Sequence, residues 1–138
     1  MDATLLDTDV LSEILKGKDA RVLEIAGRYL AEHQRFAFSA ISFYEVLRGL
    51  RARRAVRALN GFLRLADDSE VVSVSMAVLR RAADLWADAR QGGHPRNDAD
   101  LIIAATALET GRVLVTGNLP HFAWIQGLSL ADWRTASP

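Results

Sequence analysis

The chain has 138 residues, of which 50% are hydrophobic and 25% charged, and its 17 basic residues balance its 17 acidic ones. This length and composition fit one folded domain with its own core and exclude disorder as the main state. The absence of cysteine from the sequence excludes a disulfide framework, a thiolate zinc site and a cysteine nucleophile.

The first half of the chain predicts strands that alternate with helices, because short apolar runs are separated by segments with helical spacing. The predicted elements are, in order, a strand at residues 4–6, helices at 10–15 and 22–30, a strand at 36–38, a helix from about residue 43, and one or two amphipathic helices in the arginine-rich stretch 48–64.

The second half continues this alternation. Its predicted elements are, in order, a strand at residues 71–74, a helix at 76–90, a glycine- and proline-containing loop at 92–95, a nearly all-apolar helix at 97–110, a strand at 113–115, a short helix at 120–124 and a last strand near 128–130. Such alternation predicts a three-layer α/β/α sandwich around a central, mostly parallel sheet of four to five strands.

Two features of the sequence bear on its compartment. The chain contains no run that approaches the roughly 18 uncharged apolar residues needed to span a bilayer. Met1 is followed by Asp2, which is unlike the positively charged start of a signal peptide. We therefore expect a cytoplasmic protein without a membrane partner.

Several acidic and amide side chains follow predicted strands or begin the helices after them. In an open parallel sheet, the carboxyl ends of the strands and the N-termini of the following helices share one edge, where ligands bind. The sequence therefore predicts that six side chains meet at this edge: Asp7, Asp9, Glu45, Asp98, Asp100 and Asn118.

Each acid also has a purely structural interpretation. Ser42 and Glu45 have the spacing of a capping box at a helix start. Asp9 could cap the first helix, and Asn97 or Asp98 could cap the helix at 97–110. Capping does not account for Asp7, which ends an apolar strand next to a second acid.

A divalent cation explains such a cluster better than capping does. Carboxylates at short range disfavour one another's ionised form unless a cation compensates their charge. Oxygen ligands without histidine or cysteine suit Mg²⁺ or Mn²⁺ rather than zinc or copper. Such ions activate water and stabilise the charge of a scissile phosphate in phosphodiester hydrolysis.

Four segments of the sequence carry a resemblance to a known family. They are LLDTDVL at 5–11, SAISFYEVLRG at 39–49, DLIIAATA at 100–107 and LVTGN at 114–118. In this order they resemble the four motifs of PIN-domain ribonucleases, and most closely the VapC toxins of bacterial toxin–antitoxin pairs. The resemblance covers essentially the whole chain, so we expect a single PIN-like domain over residues 1–138.

The resemblance implies a Mg²⁺- or Mn²⁺-dependent endoribonuclease that leaves 5′-phosphate and 3′-hydroxyl products. It also implies a homodimer that is inhibited by a small cognate antitoxin of the VapB type. Operator DNA would be contacted only indirectly, through the antitoxin.

The resemblance further implies roles for individual residues, by position. The three main catalytic and metal-binding acids are matched by Asp7, Glu45 and Asp100, and an additional acid of some members is matched by Asp98. Asn118 stands where many members have a fourth aspartate, and His121 occupies a position that is often acidic. The supporting positions are Thr8, Asp9 and Thr116.

Six arginines lie in a stretch without acids between Glu45 and Asp67: Arg48, Arg51, Arg53, Arg54, Arg57 and Arg64. Arginine binds phosphate through bidentate hydrogen bonds, so RNA binding is one interpretation of this stretch. Docking of acidic antitoxin residues and a merely solvated helix face are the others.

Two other functions fit part of the sequence. The Asp7-Thr8-Asp9 segment resembles the nucleophile motif of haloacid-dehalogenase-like phosphatases, with Thr116 as a possible second motif. Such enzymes need a lysine and an acidic pair after the threonine, whereas Lys16 and Lys18 are the only lysines. A catalytically inactive PIN-fold interaction module is the other alternative, but a pure scaffold would not need to gather mutually repelling acids.

Overall fold

Five short apolar segments form one sheet at the centre of the protein. The computed structural model describes residues 1–93 and 95–135, and all pairings within its sheet are parallel. The strands are β1 (Thr4–Leu6), β2 (Ala37–Ser39), β3 (Glu70–Val72), β4 (Val113–Val115) and β5 (Leu130–Ala131). Their order across the sheet is β3-β2-β1-β4-β5, which places β1 in the middle.

Seven helices connect or follow these strands in the described residues. They are α1 (Thr8–Lys16), α2 (Ala20–His33), α3 (Ala40–Ala52), α4 (Val56–Asp67), α5 (Met76–Gln91), α6 (Asp98–Thr110) and α7 (Leu119–Phe122). Gly17 and Gly111 adopt the left-handed conformation that ends α1 and α6, with φ of 65° and 64°.

The central strands β1, β2 and β4 are largely buried on both faces, as expected of a parallel sheet, whereas the edge strands β3 and β5 are partly exposed. Leu6 and Val115 pack into a core formed with α1 to α4, which includes the fully buried Phe62. Leu5 and Leu114, the alternate residues of the same two strands, pack into a second core formed with α5, α6 and α7. Helices therefore cover both faces of the sheet, and the predicted three-layer α/β/α sandwich is confirmed.

The predicted start of α3 is wrong. The helix begins at Ala40 instead of near residue 43, because the Ser39 hydroxyl accepts a hydrogen bond from Ile41 N at 3.1 Å and caps the helix directly after β2. Ser42 is consequently buried inside α3, and Glu45 lies in its second turn. The capping box predicted for these two residues does not exist.

The remaining differences are small. β3 and β5 are shifted by one to two residues from the predicted strands, and the stretch 48–64 contains the end of α3 and most of α4. His94 of the predicted loop and residues 136–138 lie outside the described residues. No helix within the described ranges is both long and apolar enough to cross a membrane.

Candidate active site

Asp7 lies at the carboxyl end of the central strand and is buried there. Its backbone N–H donates to Val115 O at 2.8 Å, which continues the pairing of β1 with β4 by one residue. Only 7% of Asp7 is exposed. The sheet thus presents a buried carboxyl group at the edge where parallel α/β folds bind their ligands.

Both oxygens of the Asp7 carboxyl group accept a hydrogen bond. Oδ1 accepts from Thr8 N at 2.8 Å, so Asp7 is the N-cap of α1. Oδ2 accepts from the buried hydroxyl of Thr116, also at 2.8 Å. The expectation that capping plays no part for Asp7 is therefore wrong, although a neutral serine or asparagine would cap α1 without burying a charge.

The pKa of Asp7 is raised from its ordinary value of 3.8 to about 7, and burial is the main cause. The negative charge of Asp9 also contributes to this rise, the hydrogen bonds from Thr116 and Thr8 oppose it, and the charge of Asp100 makes a smaller contribution. Asp9 and Asp100 are therefore near enough to oppose the ionisation of Asp7. A positive charge placed beside Asp7 would offset these effects and favour its ionised form.

Glu45 is connected to Asp7 through Thr8. The Thr8 hydroxyl donates to Glu45 Oε1 at 2.8 Å and lies 2.9 Å from Ser42 Oγ, while the backbone N–H of Thr8 binds Asp7. Glu45 Oε2 lies 3.8 Å from the Arg48 guanidinium. Thr8 of α1 thus donates hydrogen bonds to both Asp7 and Glu45, which are 38 positions apart in the sequence.

Asp100 lies in the first turn of α6, where the Asn97 side chain caps the helix by accepting from Asp100 N at 2.9 Å. Asp100 Oδ2 lies 2.6 Å from Nε2 of His121 in α7. The sequence assigned no role to His121. No local signal points to this contact, because it joins residues 21 positions apart.

The other predicted site residues are less closely connected to Asp7. Asp9 is exposed, and its Oδ2 accepts from Gly117 N at 3.1 Å. Asn118 N donates to Thr116 Oγ1 at 3.1 Å, but the Asn118 side chain does not cap α7. Asp98 is exposed, and its carboxylate makes no hydrogen bond or ion pair with any described residue.

The donor chemistry of this edge fits a hard divalent cation. Asp7, Glu45 and Asp100 supply carboxylate oxygens, and a cation beside Asp7 would offset the burial that raises its pKa. Within residues 1–93 and 95–135, no three histidine, aspartate or glutamate side chains are already arranged to hold a metal ion. Each carboxylate is held instead by a neighbouring group: Thr116, Thr8 or His121.

A groove of about 800 Å³ lies between α1, α3 and α4 and adjoins this edge. Most of its lining is apolar, with Leu15, Val46 and Leu50 among the lining residues. Thr8 and Glu45 line the groove as well as belonging to the acidic edge. Its cationic lining residues are Lys16, Arg53 and Arg57.

The other arginines of the basic stretch lie on the surface. Arg51, Arg54 and Arg64 are exposed, and their guanidinium groups form no hydrogen bond or ion pair with the residues that the structure describes. The Arg48 guanidinium carbon lies 5.0 Å from the centroid of the Tyr44 ring, in addition to its contact with Glu45. The basic stretch therefore divides into groove-lining and outward-facing arginines.

The sequence is similar to those of known nucleases. A sequence model of the PIN domain matches residues 4–119. The tRNA(fMet)-specific endonuclease VapC of Shigella flexneri is 26% identical over 133 residues, which cover 94% of this chain and 96% of that protein. Ribonuclease VapC1 of Methanocaldococcus jannaschii is 29% identical over 130 residues, which cover 93% and 86%.

Two solved structures of VapBC complexes contain a chain with the same fold. A chain of the DNA-bound VapBC complex from Salmonella typhimurium superposes with a TM-score of 0.84 at 26% identity, covering 96% of this chain and 99% of that one. A chain of VapBC-1 from nontypeable Haemophilus influenzae gives a TM-score of 0.82 at 23% identity, covering 95% and 98%.

Proposed function

Because this chain belongs to the PIN-domain family, we propose that it is a divalent-metal-dependent endoribonuclease that acts as the toxin of a toxin–antitoxin pair. One observation carries the catalytic part of this proposal. The matched acids Asp7, Glu45 and Asp100 meet at one edge of the sheet, where burial and neighbouring carboxylates raise the pKa of Asp7 to about 7. Such an arrangement suits cation binding, whereas a neutral N-cap at residue 7 would serve stability better.

Asp7, Glu45 and Asp100 are the residues that would hold Mg²⁺ or Mn²⁺, with Asp98 and Asn118 as further oxygen donors nearby. The cation, when bound, supplies positive charge at the scissile phosphate and lowers the pKa of water. Thr8 and Thr116 fix the Asp7 carboxyl group by binding one oxygen each. Thr8 also orients Glu45, and His121 contacts Asp100.

We assign the groove between α1, α3 and α4 to the cognate VapB-like antitoxin. The similar structures from Salmonella typhimurium and Haemophilus influenzae are VapBC complexes. An antitoxin segment with an apolar face fits the lining around Leu15, Val46 and Leu50, and acidic side chains on it would meet Lys16, Arg53 and Arg57. Because Glu45 also lines the groove, such a segment would reach the acidic edge and block it.

The outward-facing arginines of the basic stretch, Arg51 and Arg54, are available for RNA phosphates, and Arg48 lies beside Glu45 at the acidic edge. Contact with operator DNA would come through the antitoxin.

A homodimer also belongs to this proposal. Met76, Leu79 and Trp86 are 66%, 42% and 45% exposed and lie on one side of α5, which gives a second copy an apolar surface to cover.

The two alternatives have less support. Family membership favours a nuclease over a haloacid-dehalogenase-like phosphatase, and the Asp9 carboxylate of the Asp7-Thr8-Asp9 segment is bound to the backbone of Gly117. An inactive interaction module would have no use for a buried carboxyl group with a pKa raised to about 7.

RNA cleavage by purified variants tests the proposed nuclease. We expect cleavage of a cellular RNA pool with Mg²⁺ or Mn²⁺ and none with EDTA. Asp7→Asn and Asp100→Asn should lower the rate by at least about a hundredfold, because each removes a ligand charge at nearly constant volume. Initiator tRNA is a suitable defined substrate, because the relative from Shigella flexneri is named as specific for it.

Asp84→Asn is the matched control, because Asp84 is an exposed acid of α5, away from the strand ends. It should cleave RNA at the wild-type rate. Circular dichroism of all variants shows whether the fold is retained. Folded Asp7→Asn or Asp100→Asn protein that still cleaves at the wild-type rate would refute the assignment of the site.

A further inference from the structure

His121 is the only histidine in the described part of the chain that contacts one of the proposed metal-binding acids. Its Nε2 lies 2.6 Å from Asp100 Oδ2. His33, by contrast, stacks on Tyr29 and contacts the backbone oxygen of Met1. The acidic edge thus includes one nitrogen donor beside its carboxylate oxygens.

We infer that His121 is a nitrogen ligand of the catalytic cation, which it shares with Asp100, and that it makes the site prefer Mn²⁺ to Mg²⁺. This inference rests on the nuclease proposed above. It adds a ligand and a metal preference that neither the family resemblance nor the relatives' names assign.

The geometry of the His121 and Asp100 pair suits a shared cation. The two side chains present a nitrogen and an oxygen donor side by side, with Nε2 and Oδ2 2.6 Å apart and sharing one hydrogen bond. A cation bound by both atoms would take the place of the shared proton, which would leave to solvent. His121 and Asp100 are partly exposed, at 29% and 22% of their side chains, and a cation from solution can reach them.

The position of His121 is set by its surroundings. Its carbonyl oxygen accepts hydrogen bonds from Arg96 Nε at 3.1 Å and from Trp124 Nε1 at 2.9 Å. Its ring meets the buried Phe122 edge-on, with centroids 5.2 Å apart. These contacts hold α7 against the start of α6 and place the imidazole beside Asp100 before a cation binds.

The chemistry of the ligand predicts the metal preference. Mg²⁺ binds oxygen ligands and retains several waters, whereas imidazole nitrogen is a better ligand for transition metals. Replacing one oxygen donor by imidazole should therefore favour Mn²⁺. If His121 only donated a hydrogen bond to Asp100, it would orient the carboxylate without this effect on metal choice.

Pulsed electron paramagnetic resonance of Mn²⁺ bound to the intact protein tests the inference directly. We expect nitrogen coupling from a coordinated imidazole in the wild type and in the control His33→Gln. The coupling should be lost in His121→Gln and His121→Asp. Labelling the wild type with ¹⁵N-histidine should change the coupling, which makes the result independent of how well any variant folds.

Competition between the two metals gives a second readout. In His121→Asp we expect the ratio of Mn²⁺ to Mg²⁺ affinity to fall by about tenfold, because the added ligand is again a hard oxygen. Wild-type protein that binds Mn²⁺ through Asp7, as shown by loss of binding in Asp7→Asn, but lacks nitrogen coupling would overturn this inference and leave the nuclease intact. Absence of Mn²⁺ binding in the wild type would overturn both.

Discussion

The ionised form of Asp7 is unfavourable in the folded protein. Its carboxyl group is buried, and its pKa rises from 3.8 to about 7, mainly because burial penalises the charge. A rise of this size corresponds to about 4 kcal/mol between the two protonation states. The fold keeps this group at the carboxyl end of β1 despite its cost, which is typical of a residue selected for function.

The raised pKa of Asp7 predicts how stability depends on pH without a divalent cation. Below pH 3.8 both the folded and unfolded states are protonated, so there is no penalty. As pH rises from there to about 7, the unfolded state ionises first and stability falls. Asp7→Asn removes the charge, so the variant should exceed the wild type by up to about 4 kcal/mol above pH 7 and by little near pH 4.

Urea unfolding at pH 4, 6 and 8 measures this difference. Added Mg²⁺ should stabilise the wild type at pH 8 and leave Asp7→Asn unchanged, because a ligand stabilises the state that binds it. Asp84→Asn provides the comparison for loss of an exposed charge. Equal stability of Asp7→Asn and the wild type at pH 8 would show that the buried Asp7 carboxylate does not destabilise the folded protein.

At the residue scale, the sequence predicts only those site residues that stand at the end of a strand or the start of a helix. Asp7 and Asp100 could be found because each stands directly beside a recognisable strand or helix start. The contact between Asp100 and His121 joins residues 21 positions apart and depends on how α7 packs, so no local pattern could reveal it. The cap at Asp7 was missed because a strand end and a helix start coincide at one residue.

At the scale of elements, the loop between β4 and α7 is held by contacts from both of its sides. Asp9 of α1 accepts from Gly117 N, and Arg134 near the described C-terminal end donates to Gly117 O. The same loop carries Thr116, which binds Asp7, and Asn118. The geometry of the acidic edge therefore depends on the close approach of three segments at Gly117.

A side chain at residue 117 should disturb this approach. A Cβ there would lie 2.7 Å from Asp9 Oδ2 and 2.9 Å from the guanidinium carbon of Arg134. Both atoms are the ends of flexible side chains that can move aside, so we expect Gly117→Ala to cost only about 0.5–1.5 kcal/mol, the net contribution of a hydrogen bond, as Asp9 leaves Gly117 N. RNA cleavage should fall as well, because the same loop carries Thr116. Thermal denaturation and initial cleavage rates measure the two effects.

Gly27→Ala is the matched control. Gly27 lies inside α2, and a Cβ there would meet nothing within 4 Å. Because alanine is the better helix former, this variant should gain up to about 1 kcal/mol and keep its activity. A Gly117→Ala protein as stable and active as the wild type would show that the loop accommodates the methyl group.

The order of elements could be predicted because strands and helices alternate in hydrophobic pattern, and Gly17 and Gly111 mark helix ends. The start of α3 could not, because β2 runs into it without a loop. Ser39 and Ser42 both offer a capping hydroxyl, and the position of Ser39 at the end of the paired strand decides between them. Tertiary pairing, which the local sequence does not contain, determined this boundary.

For the whole molecule, positive and negative charges balance, so RNA binding depends on where the arginines lie on the surface. The formal net charge is zero, so there is no general attraction to RNA, and binding must come from a local surface. The basic stretch offers two such surfaces. Arg53 and Arg57 line the groove beside Glu45, whereas Arg51 and Arg54 are exposed without described partners.

Separate replacement of these two pairs distinguishes RNA binding from antitoxin binding. In the Asp100→Asn background, which prevents cleavage, Arg51→Ala with Arg54→Ala should weaken binding to single-stranded RNA. The slope of log affinity against log salt should fall by about 1.4 if both arginines contact phosphates, at about 0.7 for each. Arg53→Ala with Arg57→Ala should leave the slope unchanged, because these side chains are assigned to the groove.

Fluorescence anisotropy with a labelled RNA between 50 and 300 mM salt, about the range in which phosphate contacts are most salt-sensitive, measures both slopes. An equal decrease in slope for both double variants would indicate that RNA also contacts the groove. The antitoxin would then compete with RNA directly at that surface. No loss from either pair would reduce the basic stretch to a solvated helix face. A smaller slope for the Arg51 and Arg54 variant alone would instead mean that two neighbouring surfaces of this neutral protein bind different partners. The two surfaces meet at Glu45, which belongs to both the groove and the acidic edge.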